Sequence, residues 1–169
     1  MSQSSVDYYP KILQTELKKA KLDAIKPAEI SVKHEHSPNI IEGKFFSIPS
    51  NPALSKIKYL YIGRVCTCRS GVCSINKDSR NMAEYFDYII FFDASCCILQ
   101  VKVSNFQTSR GQEISSRGWL SQFKNYNGKS ELRAGKNVDA VSGATITVDA
   151  ITRDIEDKTR LLSRILQKI

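Results

Sequence analysis

Apolar positions at Leu13, Leu17, Ala20 and Ala24 recur at helical spacing among lysines, which predicts a helix from Tyr9 to Ile25, stopped by Pro27. From Ser31 to Ala53 the interruptions Pro38, Gly43, Pro49 and Pro52 predict short strands and turns. The run from Ile57 to Ile62 predicts a strand that Gly63, Arg64 and Val65 extend. Tyr88 to Phe92 is continuously apolar and aromatic, and Leu99, Val101 and Val103 then alternate with polar residues. The short Asp93-Ala94-Ser95 gap between them suits an antiparallel hairpin, with a loop before it marked by Gly71 and the polar run Asn76 to Asn81. Ile114, Trp119, Leu120 and Phe123 predict a short helix ending near Asn127 and Gly128. Val148, Ile151, Ile155, Leu162, Ile165, Leu166 and Ile169 predict a closing helix of about six turns. The expected fold is α+β: a mainly antiparallel sheet packed with helices, the longest at the C-terminus. Residues 1–30 are expected to be an N-terminal helical segment packing on a domain formed by 31–169.

Composition narrows the function classes. A hydrophobic share of 41% in 169 residues supports one folded domain and excludes a disordered chain. No apolar run reaches the roughly 18 residues of a membrane span. The first five residues are polar, not a signal sequence, so a cytoplasmic location and a trimmed targeting segment both stay open. The net charge of +8 comes from scattered residues with no aromatic-plus-basic stripe, so a solvated surface is expected and no nucleic-acid partner. The first helix, with its thin aliphatic face, is expected to pack on the domain and not to lie on a membrane.

Five cysteines leave at least one unpaired within the chain. Cys66, Cys68 and Cys73 have neither zinc-ribbon nor ferredoxin spacing, so a metal site that would add His34 or His36 is not expected. Buried thiols, or one disulfide in the Cys66–Cys73 loop, are expected instead. Cys96 and Cys97 would point to opposite faces of a strand.

The segment Asp139-Ala140-Val141-Ser142-Gly143-Ala144-Thr145-Ile146-Thr147 stands directly before the long helix. Its small, hydroxylated residues precede the helix end whose N–H groups lack internal partners and attract phosphate. Gly143 and Ala144 remove bulk, while Ser142, Thr145 and Thr147 supply hydroxyls. By composition alone, Ser142 or Thr145 acting as a helix cap is the simpler reading.

The order Asp-x-x-Ser-Gly-Ala-Thr resembles the flavinylation motif of the FMN-binding domain family, which includes the C subunit of the sodium-pumping quinone reductase and the G subunit of the Rnf complex. Arg117 to Phe123 and Gly135 to Asp139 resemble the usual approach to that motif, and Tyr61 to Cys73 resembles a strand and Cys-containing loop of bacterial relatives. The resemblance, which covers roughly Ile57 to Ile155, implies that a flavin transferase joins FMN phosphate to Thr145, with Asp139, Ser142, Gly143 and Ala144 completing the motif. It implies ring contacts near Gln107, Thr108, Gly111, Gln112 and Arg117, where the large-complex subunits carry an acidic Thr-Pro-Gly-Leu-Gly loop instead. Arg64, Arg110 or Arg117 beside the ring would favour a reduced anionic flavin; each also reads as a surface arginine.

The expected function is therefore electron transfer by a covalently held FMN, served by redox partner proteins or a membrane electron-transfer complex outside the cytoplasm. A bond at Thr145 would make occupancy independent of free FMN, which is scarce there. Two other readings remain: a non-covalent FMN-dependent reductase, although no Gly-x-Gly-x-x-Gly fingerprint is present, and a non-redox module in which the motif only caps a helix.

Overall fold

The computed structural model describes residues 5–32, 43–49, 53, 55–67 and 84–168. Five strands form one antiparallel sheet in chain order: β1 (Ala28–Ile30), β2 (Gly43–Ser47), β3 (Tyr59–Cys66), β4 (Tyr85–Phe92) and β5 (Ile98–Gln107). Helix α1 (Lys11–Lys19) packs on one face and α3 (Thr145–Gln167) on the other, while the short α2 (Arg117–Leu120) lies between β5 and α3 in sequence. The α+β expectation holds.

The continuous apolar run of β4 follows from burial on both faces. Phe86, Tyr88, Ile90 and Phe92 join the core beneath α3, made with Val148, Ile151, Ile155 and Leu162. Ile89 and Phe91 turn the other way and join Leu13, Leu17, Leu60 and Ile62 beneath α1. Leu13 and Leu17 are fully buried, which contributes about 1.5–3 kcal/mol each.

Helix α1 is shorter than its periodicity predicts. Lys21 adopts a left-handed φ of 58°, Lys21 N–H donates to Lys18 O (3.0 Å), and Leu22 N–H donates to Leu17 O (2.8 Å). This terminal motif seats Leu22 in the core and leaves Ala24 beyond the helix. The β4–β5 turn differs as well. Asp93 Oδ1 accepts the N–H groups of Ser95 (2.8 Å) and Cys97 (3.0 Å), so residues 93–97 form the turn. Cys96, at φ 61°, and Cys97 therefore lie in that turn and not on opposite faces of a strand. Burial pushes the Cys96 thiol up, away from the reactive thiolate. The expected helix after Ile114 is broken into 3-10 turns at Gln112–Ser115 and Ser121–Phe123 flanking α2. Expectations for His34, His36, Cys68, Cys73 and the Asn76–Asn81 loop fall outside the described residues. No described helix is long and apolar enough to cross a membrane.

A polar tie crosses the core between sheet and helix. The Tyr88 hydroxyl donates to Asp154 Oδ2, while Lys158 Nζ donates to Asp154 Oδ1 (2.7 Å) and lies 5.4 Å from the centre of the Tyr61 ring. Burial, and then the Asp154 charge, hold the Tyr88 phenol well above its ordinary 10.0. A raised folded value means that the stabilisation is complete below the unfolded value and is lost as pH rises above it. Stability should therefore fall above about pH 10 more steeply for the wild type than for Tyr88→Phe. Urea midpoints at pH 8, 10 and 11 provide the check, and parallel curves would contradict it.

Candidate functional site

The segment before α3 is pinned from both sides. Asn137 Oδ1 accepts Arg133 N–H (2.7 Å), Asn137 Nδ2 donates to Glu131 O (2.8 Å), and Gly135 N–H donates to Val138 O (2.7 Å), folding 131–138 into a tight loop. Val138 is buried, and Asp139 is then fixed by its backbone: Gln122 Oε1 accepts its N–H (2.7 Å) and Trp119 Nε1 donates to its carbonyl (2.9 Å). The Trp119 indole is itself braced edge-on against Phe123, 5.3 Å between centroids. Asp139 and Arg117 have exposed side chains. The resemblance between the Trp119 segment and the motif's approach thus corresponds to a physical junction.

The chain then turns into α3. Ala144 N–H donates to Val141 O (3.1 Å), and Gly143 sits at φ 74°, which favours glycine. Ala144 occupies the cap position and has no polar side chain to offer. The first helical bond runs from Val148 N–H to Ala144 O (3.0 Å). The N–H groups of Thr145, Ile146 and Thr147 therefore face the positive end of the helix without intrahelical partners. Ser142, Gly143 and Thr145 are exposed, Ala144 and Thr147 are buried, and Ile146 is 41% exposed. The capping reading fails here, because no side chain caps α3.

The loop after β5 buttresses this corner. Thr108 Oγ1 donates to Arg110 O (2.7 Å), Ser109 donates through both its N–H and its hydroxyl to Glu84 Oε1, and Gln107 Nε2 donates to Asn105 Oδ1 (3.0 Å). Gly111 is buried at φ 81°, against Ala144 and Thr147, while Gln112 begins the following 3-10 turn with its side chain exposed. A Cβ on Gly111 would stand 2.9 Å from the Ala144 Cβ and 3.3 Å from the Thr147 Cβ. Gly111→Ala should cost about 1–3 kcal/mol and loosen the start of α3. Urea denaturation measures the loss, and a stability equal to wild type would show that the loop does not brace the helix.

Thr147 follows Thr145 by two residues, about 200° around the helix axis, so the Gly111 loop supports the flank turned away from Thr145. Thr145 instead heads a polar stripe through Asp149, Thr152 and Glu156 that the sequence reading missed. Asp149, Thr152 and Glu156, with Leu132, Arg133 and Arg153, line a cavity of about 390 Å³ that begins one turn beyond Thr145. Glu156 Oε2 closes its far end by accepting Leu132 N–H (2.7 Å). Thr152 is 2% exposed, yet its Oγ1 is buried with no hydrogen-bond partner. The signal was present as polar residues four, seven and eleven positions after Thr145, offset from the apolar stripe of Val148, Ile151 and Ile155.

Arg64 does not belong to this site. It shares the α1-side face of the sheet, where Nε and Nη2 donate to the two carboxylate oxygens of Asp87 (2.7 and 2.9 Å) and the guanidinium stacks 3.9 Å from the Tyr85 ring centre. That burial sets Arg64, one of the three candidate arginines, on the sheet face opposite α3.

An exposed alcohol at the positive helix end, flanked by small residues and leading to a polar cavity, suits a phosphorylated ligand with a hydroxylated chain. Residues 21–158 match the family model described as the FMN-binding domain. No curated protein and no solved structure matches the chain.

Proposed function

This chain belongs to the FMN-binding domain family, and on that premise we propose that it is an electron carrier whose FMN is bonded through its phosphate to Oγ1 of Thr145. The observation that carries the covalent reading is the placement of Thr145: its side chain is exposed in the first turn of α3, and no side chain caps that turn. Ser142, Gly143 and Ala144 keep the approach open, and the first N–H groups of α3 meet the phosphate charge. Asp139, held by Gln122 and Trp119, and the Gly111 loop fix the geometry of the corner.

Attachment requires an activated donor, because a phosphate monoester has no good leaving group. The donor class is a flavin nucleotide whose FMN phosphate forms part of a phosphoanhydride. Thr145 Oγ1 attacks that phosphorus, a new P–O bond forms, and the anhydride P–O bond breaks. The remaining nucleotide monophosphate departs, and the hydroxyl proton passes to a base of the flavin transferase. No electrons are exchanged. Once held, FMN supplies one- and two-electron redox chemistry. The protein holds it in place and leaves an edge open to redox partners, in keeping with service to a membrane electron-transfer complex outside the cytoplasm.

The test is co-expression with and without a flavin transferase, read by intact mass and by fluorescence of the band on a denaturing gel. A flavin adduct that appears only with the transferase and maps to Thr145 is the expected result. Flavin that dissociates on denaturation would identify a non-covalent FMN protein instead.

A further inference from the structure

We propose that the cavity beside α3 seats the ribityl chain of FMN held at Thr145, with the Thr152 hydroxyl and the Asp149 carboxylate as its hydrogen-bond partners. The inference rests on the attachment proposed above and assigns residues that the motif does not contain.

Helical geometry brings the two places together. Thr145, Asp149, Thr152 and Glu156 fall within an arc of about 60°, with Asp149 about 6 Å and Thr152 about 10 Å along the axis from Thr145. A polyol leaving the phosphate along this stripe meets the carboxylate first and the buried hydroxyl next. Glu156, occupied by Leu132 N–H, ends the track.

The Thr152 hydroxyl points to a ligand for a second reason. Helical Ser and Thr side chains usually satisfy themselves by donating to the carbonyl four residues back. Thr15 does so to Lys11 O (2.9 Å), Thr159 to Ile155 O (2.7 Å) and Ser163 to Thr159 O (3.3 Å). Among the described residues, Thr152 Oγ1 is the one fully inaccessible side-chain oxygen or nitrogen left without a bond. A buried polar atom left unpaired is costly, and because Thr152 lines the cavity, a turn about its χ1 would bring the hydroxyl to a hydroxyl-rich ligand there and remove that cost.

The lining chemistry selects the polyol over the ring. Asp149 accepts a hydrogen bond, Thr152 donates and accepts, and Arg153 donates, while the lining contains no aromatic side chain on which a tricyclic ring would stack. The tether at Thr145 raises the effective concentration of the chain, so a few hydrogen bonds suffice to order it. The ring is then left at the cavity mouth, away from the Gly111 loop.

Holoprotein made with the transferase tests this in Thr152→Val, Thr152→Ser, Asp149→Asn, Gln107→Ala and Gln112→Ala backgrounds. Intact mass verifies the adduct, and visible circular dichroism and iodide quenching of flavin fluorescence report its ordering. Thr152→Val and Asp149→Asn should keep the adduct while the released flavin population rises about five-fold, the equivalent of one hydrogen bond. Thr152→Ser should restore wild-type quenching. Apo Thr152→Val should melt no lower than wild type, because it removes only an unpaired hydroxyl. A full adduct with unchanged dichroism and quenching in both cavity variants overturns the inference, as does a response confined to Gln107 and Gln112 or a lower melting temperature of apo Thr152→Val. If wild-type protein carries no flavin at Thr145, the attachment reading fails first and this inference falls with it.

Discussion

Thr145→Ala should abolish covalent flavin completely while leaving the fold almost untouched. The two halves of that expectation have different physical sources. Only an oxygen at this position can form the phosphate ester, so its removal is all-or-none for the adduct. The stability effect should be no more than about 0.5 kcal/mol, because the side chain is exposed and Ala is a better helix former than Thr. A true cap would have cost about 1 kcal/mol, and α3 has no such cap to lose. Intact mass and a urea unfolding curve on the same sample read both halves. Flavin still esterified to the variant would move the attachment site elsewhere, and a loss near 2 kcal/mol would return Thr145 to a structural role.

Asp87→Ala should produce the opposite pattern: severe destabilisation with no change in attachment chemistry. The Arg64 and Asp87 side chains are only 3% and 5% exposed, and Asn105 Nδ2 also donates to Asp87 Oδ2 (3.3 Å). Removing the carboxylate takes its ionic partner from a buried guanidinium, a change that costs about 3–5 kcal/mol. That is a large share of the roughly 5–15 kcal/mol typical of a domain. The urea midpoint should fall by about 2 M at ordinary slopes. Replacing both partners together, as Arg64→Met with Asp87→Leu, should recover much of the loss, since no charge then remains buried. Failure of the double variant to recover would show that the pair positions other groups beyond neutralising itself. Folded Asp87→Ala should still be flavinylated, because the pair lies on the sheet face opposite α3.

Much of the fold was legible because its strongest patterns are short-range. The two-sided burial of β4 appears as an unbroken apolar run, and the stripe of Val148, Ile151, Ile155 and Leu162 has one helical solution. Boundaries were less legible where a single backbone conformation decided them. Lys21 at positive φ ends α1, a role that lysine does not announce, and the Asp93 turn runs on through Cys96 and Cys97, beyond the gap that the polar residues marked. The candidate site divides along the same line. Thr145 and its small neighbours could be read locally, as a hydroxyl before a periodic helix. Arg64 could not be placed from sequence, because a charge in a strand gives no sign of its sheet face until its partner, 23 residues away, is placed. Thr152 was passed over for a related reason. A threonine in a helix is unremarkable until the missing bond to the preceding turn is seen.

The fastening of α3 carries a consequence for kinetics. Its beginning rests on Gly111, its middle is tied to the sheet through Asp154 and Tyr88, and Arg160 grips the carbonyls of Gly128 (2.9 Å) and Ser130 (3.2 Å) near its end. A rod clamped at three points cannot swing its tip. Under the proposed electron-transfer role, movement of the attachment point would then come mainly from tumbling and docking of the whole body, so electron exchange should respond to encounter frequency, viscosity and ionic strength.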